Sequence, residues 1–460
     1  MPTRSLAAKL ADAGDAGELL RSQGRLYEEN FPVVPNEQTH WLDEQRATMR
    51  ACALADLSHH MTSIHLEGPD AKRMLADLCV NDFEEFEVGQ AKQAVVCSPA
   101  GKIWGDGPVL RLDEEEFWGV PVYTGDWFTY NHETGDYDVD LTVEFPSSYF
   151  EGDPDSFIYQ IQGPNALDLL GELTDADLRD VGFYRFEQID LAGHDVRVLG
   201  HGMSTEAGFE FHGPYSEAES VRQAICEAGE EYGLRQLGSK AYLSQSVRLG
   251  WLPPAPPPIY HGGELAEYLE WLPADSRAGN YSISGSYDPE DVRDYYMSPI
   301  ELGYGNLIDF EHDFVGKEAL AAEYEAPART KVTLRWNDED VIDVFASLFR
   351  AGVMDGENAK WFDNLPRVGW AWGVFDEVRA GDELVGLSHS RSYEPDVPGM
   401  ISLAVVDTAY AKPGTEVTLV WGEPGGASPN PKVEAHTQRE IRATVGPVPY
   451  AADRRKTLED

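Results

Sequence analysis

The sequence predicts an α+β fold of two related α+β subdomains around a shared axis, followed by a small antiparallel β-barrel or jelly roll. Three observations predict it. A strand–turn–helix pattern occurs twice, helical and extended patterns alternate through the first two thirds of the chain, and short alternating strands fill the last third. The chain has 460 residues, 42% of them hydrophobic, which is enough for two or three domains with buried cores.

The first 48 residues are predicted to form a helical extension. Leucines and alanines recur at helical spacing over residues 1–30, which indicates one or two short helices. Pro32 and Pro35 then favour extended backbone, because proline fixes φ and restricts the residue before it. The segment Met1–Leu20 has no apolar core region, so we expect no signal peptide. No apolar run is long enough to span a bilayer, and we expect a cytoplasmic protein.

The repeated pattern defines a core predicted over residues 49–328. The first copy, Ile64–Ala71, reads Ile-His-Leu-Glu-Gly-Pro-Asp-Ala, and the second, Tyr159–Ala166, reads Tyr-Gln-Ile-Gln-Gly-Pro-Asn-Ala. Each predicts a strand, a Gly-Pro turn and a helix with proline at its start. The copies are too far apart for a solenoid. They therefore predict two subdomains, at about residues 49–150 and 151–328.

Alternating strands mark a third unit, predicted over residues 329–450 and followed by a tail at 451–460. Apolar and polar residues alternate in Val332–Trp336, Ile401–Val406 and Glu416–Trp421, and turn residues separate these runs. This pattern is typical of a small antiparallel barrel or jelly roll.

Charge and cysteine content restrict the classes of partner. The chain carries 81 acidic and 36 basic residues, a net charge of −45, and such a surface repels nucleic acid and anionic membranes. We therefore expect neither as a partner. The acidic excess is spread along the chain rather than collected in a tail, which favours adaptation to a salty, halophilic cytoplasm. The four cysteines form no Cys-x-x-Cys pair, so we expect no metal site.

No stand-alone catalytic motif is present, but the order of several local motifs is informative. In chain order they are Gly208-Phe209-Glu210, Gly238-Ser239-Lys240-Ala241-Tyr242, Gly250-Trp251 and Asp313-Phe314-Val315-Gly316-Lys317-Glu318-Ala319-Leu320. Over residues 50–447 this succession resembles the glycine-cleavage T-protein (aminomethyltransferase) superfamily. Three further segments are similar to its tetrahydrofolate-dependent vanillate/syringate O-demethylases: His59-His60-Met61, Ala91-Lys92-Gln93 and Pro447-Val448-Pro449-Tyr450.

The resemblance implies that tetrahydrofolate binds in a central cavity between the two subdomains. Glu210 is expected to anchor the pterin, because one carboxylate can accept two hydrogen bonds from the donor–donor edge of that ring. Trp251 is expected either to wall the ring or to be an ordinary core residue. Gln93, Gln162 and Asp106 complete the expected cofactor-binding set.

The resemblance also implies methyl transfer from a small-molecule donor, expected to be a methoxyaromatic compound, to tetrahydrofolate. Tyr242 is the expected catalytic residue, since a positioned phenol can supply a proton or hydrogen bond to the departing oxygen. His60 is its expected catalytic companion, which orients the substrate or relays the proton.

Departures from the family patterns keep more than one activity open. Gly105 stands where aminomethyltransferases carry the first of two aspartates, which argues against glycine cleavage. Phe31, Val122 and Tyr123 are expected to contact the substrate, but the O-demethylases have a tyrosine in place of Phe31 and an arginine near Val122. The donor could therefore be a sulfonium or a methylamine instead. An aminomethyltransferase of glycine cleavage and a non-catalytic folate-binding protein remain alternatives, and the oligomeric state is not predicted.

Overall fold

The computed structural model of the protein describes residues 4–23, 33–149, 152–253, 256–350, 352–362, 365, 373–396, 398–430 and 433–455. Helices and strands are mixed along the chain, two β-sheets form its core, and a closed barrel follows. The predicted α+β class is therefore confirmed. In these described ranges no helix combines the length and the apolar character needed to cross a membrane.

The N-terminal extension contains two short helices, α1 (Leu6–Ala13) and α2 (Ala16–Ser22). The side chains of Ser5 and Asp15 cap them by accepting hydrogen bonds from backbone amides of the first turn. Helices this short need tertiary packing. Leu6 and Leu20 are buried, and Arg21 donates a hydrogen bond to the hydroxyl of Tyr295 at 2.8 Å. The extension is thereby attached to the core.

The first subdomain follows helix α3 (Trp41–Arg50). Its elements are β1 (Ala53–Asp56), β2 (Ser63–Glu67), α4 (Ala71–Leu78), β3 (Ala91–Cys97), β4 (Ile103–Asp113), β5 (Glu116–Gly119), α5 (Gly125–Thr134) and β6 (Asp140–Glu144). Five of these strands form one sheet in the order β3-β4-β5-β2-β6. Strand β1 belongs to the second sheet.

The second subdomain has a six-stranded sheet in the order β11-β1-β7-β10-β9-β8. Its elements are β7 (Ser156–Gln162), α6 (Ala166–Leu170), β8 (Phe186–Leu191), β9 (His194–Gly200), β10 (Gly208–Pro214), α7 (Ala218–Gly229), β11 (Arg235–Gln236), α8 (Ser239–Leu249), α9 (Ala266–Trp271), β12 (Ile283–Ser284) and α10 (Lys317–Tyr324).

Four strands of each sheet share one topology, which confirms the predicted repeat. The order β2-β5-β4-β3 in the first sheet matches β7-β10-β9-β8 in the second, and every neighbouring pair is antiparallel. The next position holds β6 in the first sheet, where it follows β5 in the chain, and β1 in the second, where it precedes β7. Each Gly-Pro turn uses a glycine at positive φ, 143° at Gly68 and 120° at Gly163. A Cβ at either glycine would lie within 2.6 Å of a backbone carbonyl oxygen, so the close approach of two chains requires glycine there.

One detail of the repeat was predicted wrongly. Pro69 and Pro164 do not occupy the first helical position, because Asp70 and Asn165 are the N-caps and the helices begin one residue later. The prolines belong to the turn and help to stop the strand.

The last third of the chain forms a closed antiparallel barrel in the order β13-β17-β16-β15-β18-β19. Its elements are β13 (Arg329–Trp336), α11 (Asp338–Ser347), β14 (Gly373–Val374), β15 (Asp376–Ala380), β16 (Glu383–Glu394), β17 (Gly399–Asp407), β18 (Glu416–Trp421) and β19 (Arg439–Gly446). Trp336 and Trp421 fill its core with ring centroids 5.8 Å apart. The parallel pair β12–β14 connects the barrel region to the preceding core.

Candidate active site

A cavity of about 590 Å³ is lined by both sheets, by α8 and by the barrel. Gln93 of β3, Asp106 of β4, Glu210 of β10, Tyr242 of α8 and Lys331 of β13 all reach it. The volume is in the range of small-molecule sites in proteins. Residues far apart in the sequence therefore meet at one place.

Glu210 is a buried carboxylate with three polar neighbours. Its Oε1 accepts hydrogen bonds from Gln160 Nε2 at 2.7 Å and from His201 Nδ1 at 2.8 Å, and its Oε2 lies 3.6 Å from His212 Nε2. Burial alone raises the pKa of Glu210, but the two facing histidines outweigh burial and hold that pKa well below its ordinary value. Glu210 is therefore an anion at neutral pH, and its side chain is held in one orientation.

Gln162 has a supporting position rather than a place on the cavity wall. Its Nε2 donates to Gln245 Oε1 on α8, and its Oε1 accepts from the backbone N–H of Ser204 at 3.0 Å. Its neighbour Gln160 accepts from the backbone N–H of Met203 at 3.1 Å. The two glutamines thus fix the loop at residues 201–205, which carries His201.

Asp106 gathers three hydrogen bonds on one oxygen. Its Oδ2 accepts from Gln93 Nε2 at 2.6 Å, from Trp251 Nε1 at 2.9 Å and from the hydroxyl of Tyr304 at 2.8 Å. Asp106 is 1% exposed, and burial raises its pKa against the effect of these donors and of nearby Lys331. Its Oδ1 has no hydrogen-bond partner among the described residues. Trp251 lines the cavity and donates a hydrogen bond to Asp106, and its contact with a pterin stays a prediction.

Tyr184 links the Asp106 cluster to Glu210. Its hydroxyl donates to Gln93 Oε1, and its ring stacks on His201 with centroids 5.4 Å apart. Its backbone adopts φ 60°, which is uncommon for a bulky residue and frequent at functional sites. Sequence reasoning missed Tyr184 and His201, because no local pattern marks a positive φ at a tyrosine.

The predicted pair His60 and Tyr242 is brought together at another part of the cavity. Their ring centroids are 5.3 Å apart at an interplanar angle of 68°. Burial, with a contribution from Arg277, lowers the pKa of His60 to about 3. Burial also raises the pKa of Tyr242 far above its ordinary value. Both side chains are therefore uncharged at neutral pH.

Helix α8 positions Tyr242. The backbone N–H of Gly238, the N-cap of α8, donates to Glu44 Oε2 at 2.8 Å. A Cβ at Gly238 would lie 2.3 Å from the carbonyl oxygen of Asn36, so only glycine fits. The start of α8 is thus held against α3 and the segment before it, which fixes the first turn that carries Tyr242.

The expected substrate residues Val122 and Tyr123 also line the cavity, and Phe31 lies outside the described residues. Arg277, which sequence reasoning missed, joins them: its guanidinium carbon lies 4.2 Å from the centroid of the Tyr123 ring. Tyr123 has φ 68°. No arginine lies near Val122 in the sequence, but Arg277, from a distant segment, lies on the same wall of the cavity.

Metal ligands do not cluster in the part of the chain that the structure describes, where no group of three or more His, Cys, Asp or Glu could hold an ion. Cys52, Cys79 and Cys97 are buried free thiols, and burial raises the pKa of Cys52 to about 11. These thiols are core residues.

Known proteins resemble this chain over nearly its whole length. The model of the GCVT N-terminal domain matches residues 8–250. The chain is 37% identical to syringate O-demethylase of Sphingobium sp. (strain NBRC 103272 / SYK-6), covering 99% of this chain and 98% of that protein. It is 34% identical to sesamin methylene transferase of Sinomonas sp. (strain No.22), covering 92% and 91%.

The fold resembles a solved structure as well. The glycine cleavage system aminomethyltransferase T of Bartonella henselae superposes with a TM-score of 0.61 at 16% identity over 90% of both chains. That likeness supports the fold alone. Together, the domain match over more than half of the chain and the identity to full-length relatives show that the chain belongs to the glycine-cleavage T-protein (aminomethyltransferase) family of one-carbon transferases.

Proposed function

We propose that the protein is a tetrahydrofolate-dependent demethylase that moves a methyl group from a small methoxyaromatic compound to tetrahydrofolate. The observation that carries this proposal is one cavity with the buried anion Glu210 on one wall and the uncharged pair Tyr242 and His60 on another. The relatives named as a syringate O-demethylase and a sesamin methylene transferase support it.

The polar groups of the cavity fit a reduced folate. Among the residues that the structure describes, the polar neighbour of Glu210 Oε2 is His212 at 3.6 Å, and this oxygen can accept hydrogen bonds from the amino and ring N–H groups of a pterin. Asp106 Oδ1 has no partner among the described residues and can accept another. Tyr184, Trp251 and Tyr304 offer aromatic surface. When bound, tetrahydrofolate supplies the nucleophilic nitrogen N-5 that takes up the one-carbon unit.

Tyr242 then acts on the departing oxygen of the methyl donor. Because burial keeps its phenol protonated, Tyr242 donates a hydrogen bond or a proton as negative charge develops on that oxygen. His60 remains neutral and orients the donor through its ring, since an imidazole with a pKa of about 3 is a poor source of protons at neutral pH.

Arg277 favours an uncharged or anionic donor over a cationic one. Its guanidinium lies over Tyr123 on the wall beside Val122, and Arg277 also contributes to the lowered pKa of His60. A permanent cation there repels a sulfonium or an ammonium group, whereas it can pair with a carboxylate. We therefore propose a methoxyaromatic acid as the donor and place its carboxylate at Arg277.

Gly105 argues against glycine cleavage. A Cβ at this position would lie 1.9 Å from the carbonyl oxygen of Val122 and 2.7 Å from Cγ2 of Thr124. The backbone of β4 therefore has no room for the aspartate that aminomethyltransferases carry there, and methyl transfer is the better assignment.

Single-turnover incubation with tetrahydrofolate tests the proposal. Methoxyaromatic acids, dimethylsulfoniopropionate and methylamines are offered in parallel, and 5-methyltetrahydrofolate is measured by chromatography. We expect product with the methoxyaromatic acids. Product from the sulfonium or the amine alone would reassign the donor, and folate binding without product from any donor would leave a non-catalytic folate-binding protein.

We also propose a cellular environment and classes of partner for the protein. The net charge of −45 supports a salty cytoplasm and partners that are neither nucleic acid nor membrane. Like charges crowd in places: Glu67, the run 113–116 and Asp138 line one concave surface. Such crowding is tolerated where salt screens it.

A further inference from the structure

The barrel contributes a charged side chain to the cavity. Lys331 lies on β13, is half-buried and lines the cavity next to Tyr304. Its backbone N–H donates to the carbonyl of Glu301 at 2.9 Å, which fixes its place on the strand. Its ammonium makes no hydrogen bond or ion pair with any residue in the described ranges, and lies 5.8 Å from the centroid of the Tyr304 ring. Ammonium groups removed from water normally have such partners.

Asp106 presents the complementary group. Its Oδ1 is buried without a hydrogen-bond partner among the described residues, while Oδ2 is occupied by three donors. Tyr304 lies between the two charges, because its hydroxyl donates to Asp106 and its ring faces Lys331. Each charge alters the pKa of the other, yet no ion pair joins them in the described chain. An acceptor and a donor of opposite charge thus share one cavity without contact.

A ligand edge with a hydrogen-bond donor beside an acceptor satisfies both groups. A reduced pteridine has such an edge, where the N-5 amine adjoins the 4-oxo group. The neighbouring edge, with the 2-amino group and the ring N–H, is the one assigned to Glu210. We propose that Asp106 and Lys331, one from the core and one from the barrel, together bind the N-5/4-oxo edge of the reduced pteridine. This inference rests on the proposed function.

Two ligands distinguish a lysine that binds the pteridine edge from one that binds the glutamyl carboxylates. Tetrahydrofolate carries both the pteridine edge and glutamyl carboxylates, either of which could attract an ammonium. 6-Methyltetrahydropterin has the same N-5/4-oxo edge without any carboxylate. A lysine that binds the pteridine affects the affinity of both ligands, whereas a lysine that binds the glutamyl group affects only tetrahydrofolate.

The experiment is anaerobic titration calorimetry on the full chain. Lys331→Met should weaken both ligands by about tenfold or more, the usual effect of losing a hydrogen bond from a charged group. Lys331→Arg, which keeps the charge, should recover part of the affinity. Lys317→Met is the matched control: it removes a surface lysine paired with Asp313 at 3.0 Å and should leave affinity unchanged.

Two further readouts separate binding from folding. The melting temperature of ligand-free Lys331→Met should not fall, because the lysine has no polar partner in the described chain to lose. Burial lowers the pKa of Lys331 to about 8, so wild-type affinity should decline as pH rises through that value, and the variant should show no such decline.

The outcomes are distinct. Equal loss for both ligands supports the pteridine site. If Lys331→Met loses affinity for tetrahydrofolate alone, or keeps its affinity for both ligands, the inference is overturned. Turnover by the wild-type protein would still support the proposed function in that case. Failure of the wild-type protein to bind tetrahydrofolate at all overturns both.

Discussion

Tyr242 and His60 face each other edge to face in the cavity, with ring centroids 5.3 Å apart. The same burial that raises the pKa of the phenol lowers the pKa of the imidazole, so neither side chain carries charge at neutral pH. The pair can therefore donate and accept hydrogen bonds, and neither side chain needs a partner of opposite charge. Such a pair suits a reaction in which negative charge develops on a substrate oxygen.

Replacing Tyr242 by Phe should abolish turnover and spare folate binding. The substitution removes the hydroxyl that assists the leaving oxygen and keeps the ring that packs against His60. We expect the single-turnover rate to fall by about 100-fold or more, the usual contribution of a general acid. Rapid-quench measurement of 5-methyltetrahydrofolate gives the rate. Tyr215→Phe, whose hydroxyl bonds to His59 Nε2 at 3.1 Å, is the matched control. A wild-type rate in the Tyr242 variant would remove the tyrosine from the mechanism.

The pH dependence of turnover should lack a histidine ionisation from His60. A pKa of about 3 lies below its ordinary value, so the ring is neutral throughout the range of about pH 5 to 8. Single-turnover rates should therefore show no step near pH 6.5, and the profile of His60→Gln should run parallel to that of the wild type at a lower level. A loss of rate below pH 6.5 that the His60 variant lacks would contradict the assignment.

Glu210→Gln should weaken tetrahydrofolate binding by about tenfold to 100-fold, because hydrogen bonds to a charged acceptor become hydrogen bonds to a neutral amide. The pKa of Glu210 is held well below its ordinary value, so the affinity that the carboxylate contributes should persist down to the lowest pH at which the protein remains folded. Titration calorimetry measures both effects. Glu187→Gln, on the exposed face of β8, is the control, and equal affinity in the two variants would show that Glu210 does not anchor the pterin.

High salt should stabilise the fold. At a net charge of −45, self-repulsion opposes compaction, and the screening length falls from about 10 Å at 0.1 M salt to about 3 Å at 1 M. The melting temperature should therefore rise between 0.1 and 2 M KCl, with NaCl giving a similar rise. A melting temperature that falls over this range would refute adaptation to a salty interior.

The sequence was sufficient to predict the repeat, because a Gly-Pro turn between a strand and a helix is a local signal. It was also sufficient to predict Glu210 and Tyr242 as site residues, because each belongs to a short motif that resembles the family pattern, and Asp106 was predicted from the same resemblance. The hydrogen bonds that these side chains make could not be predicted from the sequence. That Asp106 accepts from Trp251 and Tyr304 depends on three segments folding onto one point.

Residues from outside the motifs were missed for physical reasons. Arg277 lies in a segment with no periodic signal, and Lys331 lies at the start of a predicted barrel strand whose pattern does not indicate a cavity, so only tertiary packing brings them there. Tyr184 depends on a backbone conformation that its residue type disfavours. Gln162 belongs to the repeated motif, and its amide supports the loop at residues 201–205 from outside the cavity lining. Its contact with the cofactor stays a prediction.

Arg277 offers the sharpest test of donor identity. If its guanidinium pairs with a carboxylate, Arg277→Gln should raise KM for methoxyaromatic acids by about tenfold or more. An uncharged methoxyphenol makes no such pair, so its KM should change little in the same variant. Arg277→Lys should recover only part of the affinity, because an ammonium cannot form the bidentate pair. Steady-state kinetics with both donors gives the comparison, and Arg222→Gln, which removes an arginine paired with Glu219 at 2.7 Å on α7, is the control. Equal changes for the charged and the uncharged donor would show that Arg277 maintains the shape of the cavity, and the carboxylate would then have to be placed elsewhere.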